Sequence, residues 1–225
     1  MRWNRIWASA LILVIALFMR ATAGVTAQAT DPAPLSIARQ GYLFAILLTH
    51  SQSGAFGWPV VDARPDLVKA ILAVEPNGPP FFDVENVAAP DWFRDAATQT
   101  RPWGITADPL AYSPPAANAS DLAVVRQEEP DGPDLSRCWM QKSPARLLPN
   151  LQKLPILILT AEASYHASYD HCTVKYLEQA GVHPTWTKLA DVGIHGNGHM
   201  MMLEKNNMDI SAVMSRWLAK ALDGF

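Results

Sequence analysis

The sequence predicts an α/β domain in which a mainly parallel sheet is flanked by helices. Two observations favour this class: short, almost continuously apolar segments with the length of buried strands, and helical segments between and after them. The 225 residues are enough for one domain with a sizeable core. A hydrophobic content of 49% against 17% charged residues excludes a disordered chain.

Four segments have the pattern of strands: residues 42–49 (YLFAILLT), 69–74 (KAILAV), 155–160 (PILILT) and 184–189 (PTWTKL). The first three are nearly all apolar, which is typical of parallel strands covered on both faces.

Two helices are predicted in the second half of the chain. The first runs from Asp170, as its cap, through Gln179 to a stop at Gly181. The second is a C-terminal helix, because apolar residues recur there at helical spacing: Ile210, Val213, Met214, Trp217, Leu218 and Ala221.

The N-terminus has the layout of a secretory signal peptide. Two arginines precede the apolar run 7–19, and Ala-x-Ala follows at 21–23 and 27–29. We predict a signal peptide over residues 1–29 and a periplasmic or secreted domain over 30–225. The run is shorter than the roughly 20 apolar residues of a transmembrane helix, so no stable membrane span is expected after cleavage. An uncleaved anchor is the alternative.

The middle of the chain, residues 78–150, is predicted to be an irregular insertion. It is rich in proline and contains Trp92, Trp103 and Trp139. A cap over the carboxyl edge of the sheet is one interpretation, and a poorly ordered excursion is the other. The net charge of −3, without a block of basic residues, excludes nucleic acid as a partner.

Ser51 is a candidate nucleophile, because an apolar strand leads directly into it and a helix-compatible segment follows. A nucleophile elbow has this layout and requires small residues two positions before and after the serine. Thr49 and Ser53 occupy those positions, where glycine is usual. The alternative is that the serines merely cap a helix.

A serine nucleophile requires a histidine base and a carboxylate that orients the base. His195 and His199 both lie in a glycine-rich loop between the last strand and the last helix. Glu75 ends the strand after the nucleophile strand, and Glu162 ends the next one. Neighbouring parallel strands bring either carboxylate to the edge that carries the serine, so the residues alone leave both pairs open.

We expect no metal ion. His195 and His199 have the spacing of zinc ligands on a helix, but glycines at 196 and 198 disfavour a helix there. A second possible ligand set is His166, Asp170 and His171. The two cysteines, Cys138 and Cys172, are too few for a thiolate zinc site but can form one disulfide in an oxidising compartment.

The segments 50–54 (HSQSG), 74–76 (VEP) and 195–202 (HGNGHMMM), the last followed by two asparagines at 206–207, resemble a group of secreted bacterial carboxylesterases in the α/β-hydrolase superfamily. The resemblance covers most of residues 43–222. It implies Ser51 as nucleophile, His199 as base and Glu75 as acid, with a small ester as substrate and no cofactor.

The chain departs from that superfamily before Ser51. The usual fold has several strands ahead of the elbow, and one of their loops donates a second oxyanion hydrogen bond. The stretch from residue 30 to Ser51 is too short for those strands, so the backbone N–H of Gln52 is the one donor that the sequence predicts. We therefore expect a truncated α/β-hydrolase fold with an exposed sheet edge that invites self-association.

Two functions are compatible with these observations. The leading prediction is a secreted serine esterase that works through an acyl-enzyme. The alternative is a catalytically inactive, truncated hydrolase-like protein that acts in binding or assembly.

Overall fold

A computed structural model of the chain describes residues 15–18, 45–84 and 98–223. Its strands are β1 (Ile15–Phe18), β2 (Ala45–Ser51), β3 (Val68–Pro76), β4 (Val124–Arg126), β5 (Trp139–Gln141), β6 (Ile156–Thr160) and β7 (Thr185–Lys188). Its α-helices are α1 (Gly54–Ala63), α2 (Asp170–Gln179) and α3 (Asn207–Leu222). The main sheet has the order β1-β2-β3-β6-β7, and β4 and β5 form a separate antiparallel pair.

The predicted mainly parallel sheet is confirmed, since β2, β3, β6 and β7 pair in parallel. The architecture is consistent with an α/β-hydrolase-like fold. All four predicted strands form, although residues 42–44 lie outside the described part of the chain. β2 and β3 each continue two residues beyond their predicted ends, and Ser51 pairs with Pro76. This extension places Ser51 and Glu75 side by side at the carboxyl edge.

β1 is a strand that the sequence did not predict, because it lies within the apolar run assigned to the signal peptide. It pairs antiparallel with β2, with Ile15 opposite Leu48. Among the described residues, therefore, β2 is not an edge strand. The exposed edge that the sequence predicts beside β2 would form if cleavage of the predicted signal peptide removed β1. Cleavage after residue 29 and self-association both stay predictions. No helix in the described ranges is long and apolar enough to cross a membrane.

α2 has the predicted bounds, but its predicted cap is wrong. Tyr169 is the N-cap residue, and Asp170 is the first residue of the helix. Instead of capping its own helix, the Asp170 side chain accepts a hydrogen bond from Thr160 and contacts the ring of His166, four residues before it. The C-terminal end follows the prediction: Gly181 has φ +75°, and its N–H and that of Val182 donate to carbonyls of the last turn.

The helices cover the sheet with separate apolar clusters. α1 and α2 share the largest cluster, which contains Trp58 and Tyr176. α3 contributes Ile210 and Val213 to a second cluster, and Met214 and Trp217 pack against a third. A sheet buried in this way keeps its strand ends fixed relative to one another.

The described part of the insertion packs against the domain. Buried residues from the insertion belong to the cluster shared by α1 and α2: Phe81, Trp103, Ile105, Leu110, Tyr112, Leu122 and Leu148. Cys138 and Cys172 form a disulfide with a Cα–Cα distance of 5.1 Å, which ties the insertion to α2. Trp92 lies outside the described residues. A role of the insertion as a cap stays a prediction.

A glycine at the start of α1 sets how closely this helix approaches β3. A Cβ at Gly54 would lie 2.6 Å from Cβ and 2.7 Å from Cα of Pro76. Gly54→Ala should therefore lower the free energy of unfolding by about 1–3 kcal/mol, although alanine is the better helix former. Urea unfolding measures the change.

Gly132→Ala is the matched control for that variant. The first contact of its Cβ would be the flexible Leu135 side chain at 3.3 Å, so its stability should change little. Equal stability of the two variants would contradict the close approach of α1 to β3.

Candidate active site

Ser51 lies on a strained turn between β2 and α1. Its φ is +54°, in the left-handed region that costs a non-glycine residue about 1–3 kcal/mol. The Ser53 hydroxyl closes the turn: it donates to the carbonyl of His50 at 2.7 Å and accepts from the His50 N–H at 2.8 Å. Ser53, at the position where glycine is usual, thus stabilises the turn with its hydroxyl. The close approach of the chain to β3 occurs one residue later, at Gly54.

The structure brings Ser51, His199 and Glu75 into one hydrogen-bonded chain. Ser51 Oγ lies 2.8 Å from His199 Nε2, and His199 Nδ1 lies 2.5 Å from Glu75 Oε2. Glu75, like Ser51, has a positive φ, of +41°, near the end of its strand. Both hydrogen bonds have the length and the order that proton transfer from a serine to a histidine requires.

The Glu75 carboxylate is fully buried and is held by several donors. Besides the His199 ring, the Ala161 N–H donates to Oε1 at 2.9 Å and the Ser164 hydroxyl donates to Oε2 at 2.8 Å. A buried carboxylate requires such donors, and these fix its orientation.

The loop that carries His199 is tied to the start of α3. Asn197 and Asn206 exchange a pair of side-chain hydrogen bonds, of 2.8 and 3.0 Å. Glu204 accepts from the Asn197 amide and, at 2.8 Å, from the N–H of Gly198. This network fixes the course of the glycine-rich loop. The sequence analysis missed the network, although the paired asparagines at 206–207 belong to the segment that carried the resemblance.

His50, beside the nucleophile, also holds this loop. Its Nε2 donates to the backbone carbonyl of His199 at 3.0 Å, and the two rings lie 4.6 Å apart. Burial lowers the pKa of His50, which favours its neutral form.

His195 and Glu162, the alternative base and acid, form a pair of their own at the surface. His195 Nδ1 lies 3.2 Å from Glu162 Oε2, and their side chains are 64% and 45% exposed. The Gly196 N–H donates to the same oxygen at 2.9 Å, and this bond and His195 lower the pKa of Glu162. The carboxylate that contacts the His199 ring is Glu75.

Two groups of side chains in the described ranges are close enough to share a metal ion. One is His50, Glu75 and His199; the other is Cys138, His171 and Cys172. In the first group the His199 ring nitrogens contact Ser51 and Glu75, and in the second both sulfurs belong to the disulfide. These atoms would have to leave their protein partners to bind a metal ion.

The ligand set suggested by the sequence does not converge on one point. His166 Nδ1 lies 2.8 Å from Asp170 Oδ1, whereas His171 Nε2 lies 3.0 Å from the carbonyl of Ser136. Burial lowers the pKa of His171.

Three consecutive residues after β6 lie against the site: Ser164, Tyr165 and His166. The sequence analysis named only His166, as a possible metal ligand. Ser164 donates to Glu75, the Tyr165 ring lies 4.8 Å from the ring of His199, and the His166 ring stacks on that of His199. Partial burial raises the pKa of Tyr165, so its hydroxyl stays protonated. Their place at the carboxyl end of β6 is the signal that could have found them.

Comparison with known proteins finds a relative that is similar in sequence. No model of a protein family matches the chain. Over 177 residues it is 47% identical to a probable secreted lipase, phiG, of Fungal sp. (strain ATCC 74256), and the matched region covers 78% of this chain and 46% of that protein. The chain thus spans about half the length of this relative.

One solved structure, described as that of a novel bacterial esterase, is similar with a TM-score of 0.45 and 19% identity. The similarity covers 79% of this chain and 38% of that one. It is too low to support an argument about function.

Mutation tests which glutamate is the acid: Glu75, within the end of β3, or Glu162, two residues after β6. Glu75→Gln should lower kcat for hydrolysis of p-nitrophenyl butyrate by about 10²–10⁴-fold, because an amide no longer holds the His199 ring in the required tautomer. Glu162→Gln, at the exposed pair, should leave kcat within about twofold. The opposite ranking would identify Glu162 as the acid.

Proposed function

We propose that this protein is a secreted serine hydrolase that cleaves carboxylic esters through Ser51, His199 and Glu75. The observation that carries the proposal is the unbroken hydrogen-bonded chain from a strained strand-end serine, through an imidazole, to a buried carboxylate. A histidine–glutamate pair that only stabilises the fold does not require a serine on a strained turn beside it. Acyl transfer does require such a serine, because it is the nucleophile.

In the first half-reaction His199 Nε2 removes the proton from Ser51 Oγ, and the oxygen attacks the ester carbonyl carbon. Glu75 holds the Nδ1–H side of the ring and stabilises the imidazolium that forms. The backbone N–H of Gln52, at the start of the turn into α1, donates to the developing oxyanion. The imidazolium then gives its proton to the alcohol oxygen, the C–O bond breaks and the acyl group remains on Ser51.

In the second half-reaction the same groups act on water. His199 takes a proton from a water molecule as its oxygen attacks the acyl carbon, and then returns the proton to Ser51 Oγ as the acid leaves. Every step uses side chains and backbone of this chain together with water, so the proposed reaction requires no metal ion or organic cofactor.

The relative supports the class of reaction and the place where it occurs. It is named a probable secreted lipase, and at 47% identity it favours an ester as substrate and secretion from the cell. The signal peptide predicted over residues 1–29 agrees with export.

Labelling with a fluorophosphonate probe tests the proposal, because the probe reacts with activated serines. Wild-type protein should be labelled and Ser51→Ala should not. Ser215→Ala, at an exposed serine of α3, is the control and should be labelled like the wild type.

The catalytically inactive alternative gives a different result. A wild-type sample that unfolds cooperatively but is not labelled would overturn the serine hydrolase and favour a binding or assembly protein. Labelling that persists in Ser51→Ala would assign the nucleophile to another residue.

A further inference from the structure

His166 is a buried histidine that the proposed reaction does not use. Its ring lies parallel to the His199 ring, with an interplanar angle of 2° and a centroid distance of 4.7 Å. The rings of His50 and Tyr165 also lie near His199, but they are tilted by 32° and 49°. His166 is thus the ring, among those described, that lies flat against the base.

A buried network holds His166 in place. His166 is 2% exposed, and its Nδ1 donates to Asp170 Oδ1 at 2.8 Å. The other oxygen of this fully buried carboxylate accepts from the Thr160 hydroxyl at 2.7 Å, which itself accepts from Trp186 Nε1 at 3.0 Å. The network therefore joins the stacked ring to two strands of the sheet, β6 and β7.

The backbone of His166 is fixed at the same point. Ser164 caps the 3₁₀ turn Tyr165–Ser168 by accepting from the His166 N–H at 3.2 Å. The same hydroxyl donates to Glu75. One serine thus couples the position of the stacked ring to the position of the acid.

The stack restrains a motion of His199 that the hydrogen bonds leave free. The bonds to Glu75 and Ser51 act in the plane of the imidazole, at Nδ1 and Nε2. They fix the direction of the ring within its plane but resist rotation about the line through the two nitrogens only weakly. A flat ring packed on the face of His199 opposes that rotation.

We propose that His166, anchored by Asp170, is a positioning residue that fixes the plane of the His199 imidazole for proton transfer. The inference rests on the ester hydrolysis proposed above. The reaction loses efficiency when the reacting groups are misaligned, so loosening the ring should reduce kcat while binding of the ester changes little.

Two substitutions distinguish the contribution of the His166 ring from that of its hydrogen bond to Asp170. His166→Gln keeps a donor for Asp170 but removes the ring, and His166→Phe keeps a flat ring but removes the donor. His171→Gln is the matched control, because His171 is also a buried histidine near the start of α2 but contacts Ser136 and the disulfide. Cooperative thermal unfolding confirms that each sample is folded.

Steady-state hydrolysis of p-nitrophenyl butyrate is the first readout. His166→Gln should lower kcat about tenfold and change KM less than about twofold. A loss of about tenfold is what the interaction energy of two packed aromatic rings, at the upper end of its range, corresponds to as a rate. His166→Phe should recover most of that loss, and His171→Gln should match the wild type. A wild-type kcat for His166→Gln, or a loss no larger than that of His171→Gln, overturns the inference.

Proton NMR is the second readout. The short bond between His199 Nδ1 and Glu75 should give a far-downfield resonance, assigned by its loss in Glu75→Gln. The resonance should shift or broaden in His166→Gln and persist in His171→Gln. An unchanged resonance in His166→Gln contradicts a positioning role.

If His166→Gln does not fold, Asp170→Asn replaces it, because the amide keeps the volume of the carboxylate but weakens the anchor. A folded Asp170→Asn protein with wild-type kcat overturns the inference. Failure of the proposed function is distinct, since the wild type would then lack both fluorophosphonate labelling and hydrolysis.

Discussion

The buried carboxylate of Glu75 is the constraint on which the site depends. A carboxylate without solvent must receive hydrogen bonds from the protein, and Glu75 receives them from the backbone after β6, from Ser164 and from the His199 ring. Two of these donors lie in the segment after β6 and the third lies in the histidine loop, so satisfying one carboxylate aligns the ends of β3 and β6 with that loop. The same contact leaves Nε2 of His199 facing Ser51.

Backbone geometry at two strand ends supports this arrangement. Ser51 and Glu75 both have positive φ, near the ends of neighbouring parallel strands. Such residues persist where the surrounding structure compensates their strain, and here the Ser53 hydroxyl and the packed start of α1 do so at Ser51. The backbone strain at these two strand ends is thus offset by the stability of the packed sheet.

The sequence predicted what depends on local pattern. Local pattern predicted four strands, three of them from nearly continuous apolar runs, and Gly181 predicted the end of α2. Glu75 and Glu162 both end strands, so pattern could not separate them; burial and donors separate them in the structure. Asp170 was predicted as a cap because its type favours caps, but its side chain bonds to Thr160 and to His166 instead. β1 was missed because one apolar run fits both a leader and a strand.

In the proposed reaction Ser51 and His199 act as one unit. The most direct test compares kcat/KM for ester hydrolysis in Ser51→Ala, His199→Ala and the double variant, each shown to be folded. Residues that share one proton transfer are strongly non-additive, so the double variant should lose no more activity than the more damaged single variant. Independent losses, whose free energies add in the double variant, would contradict the account.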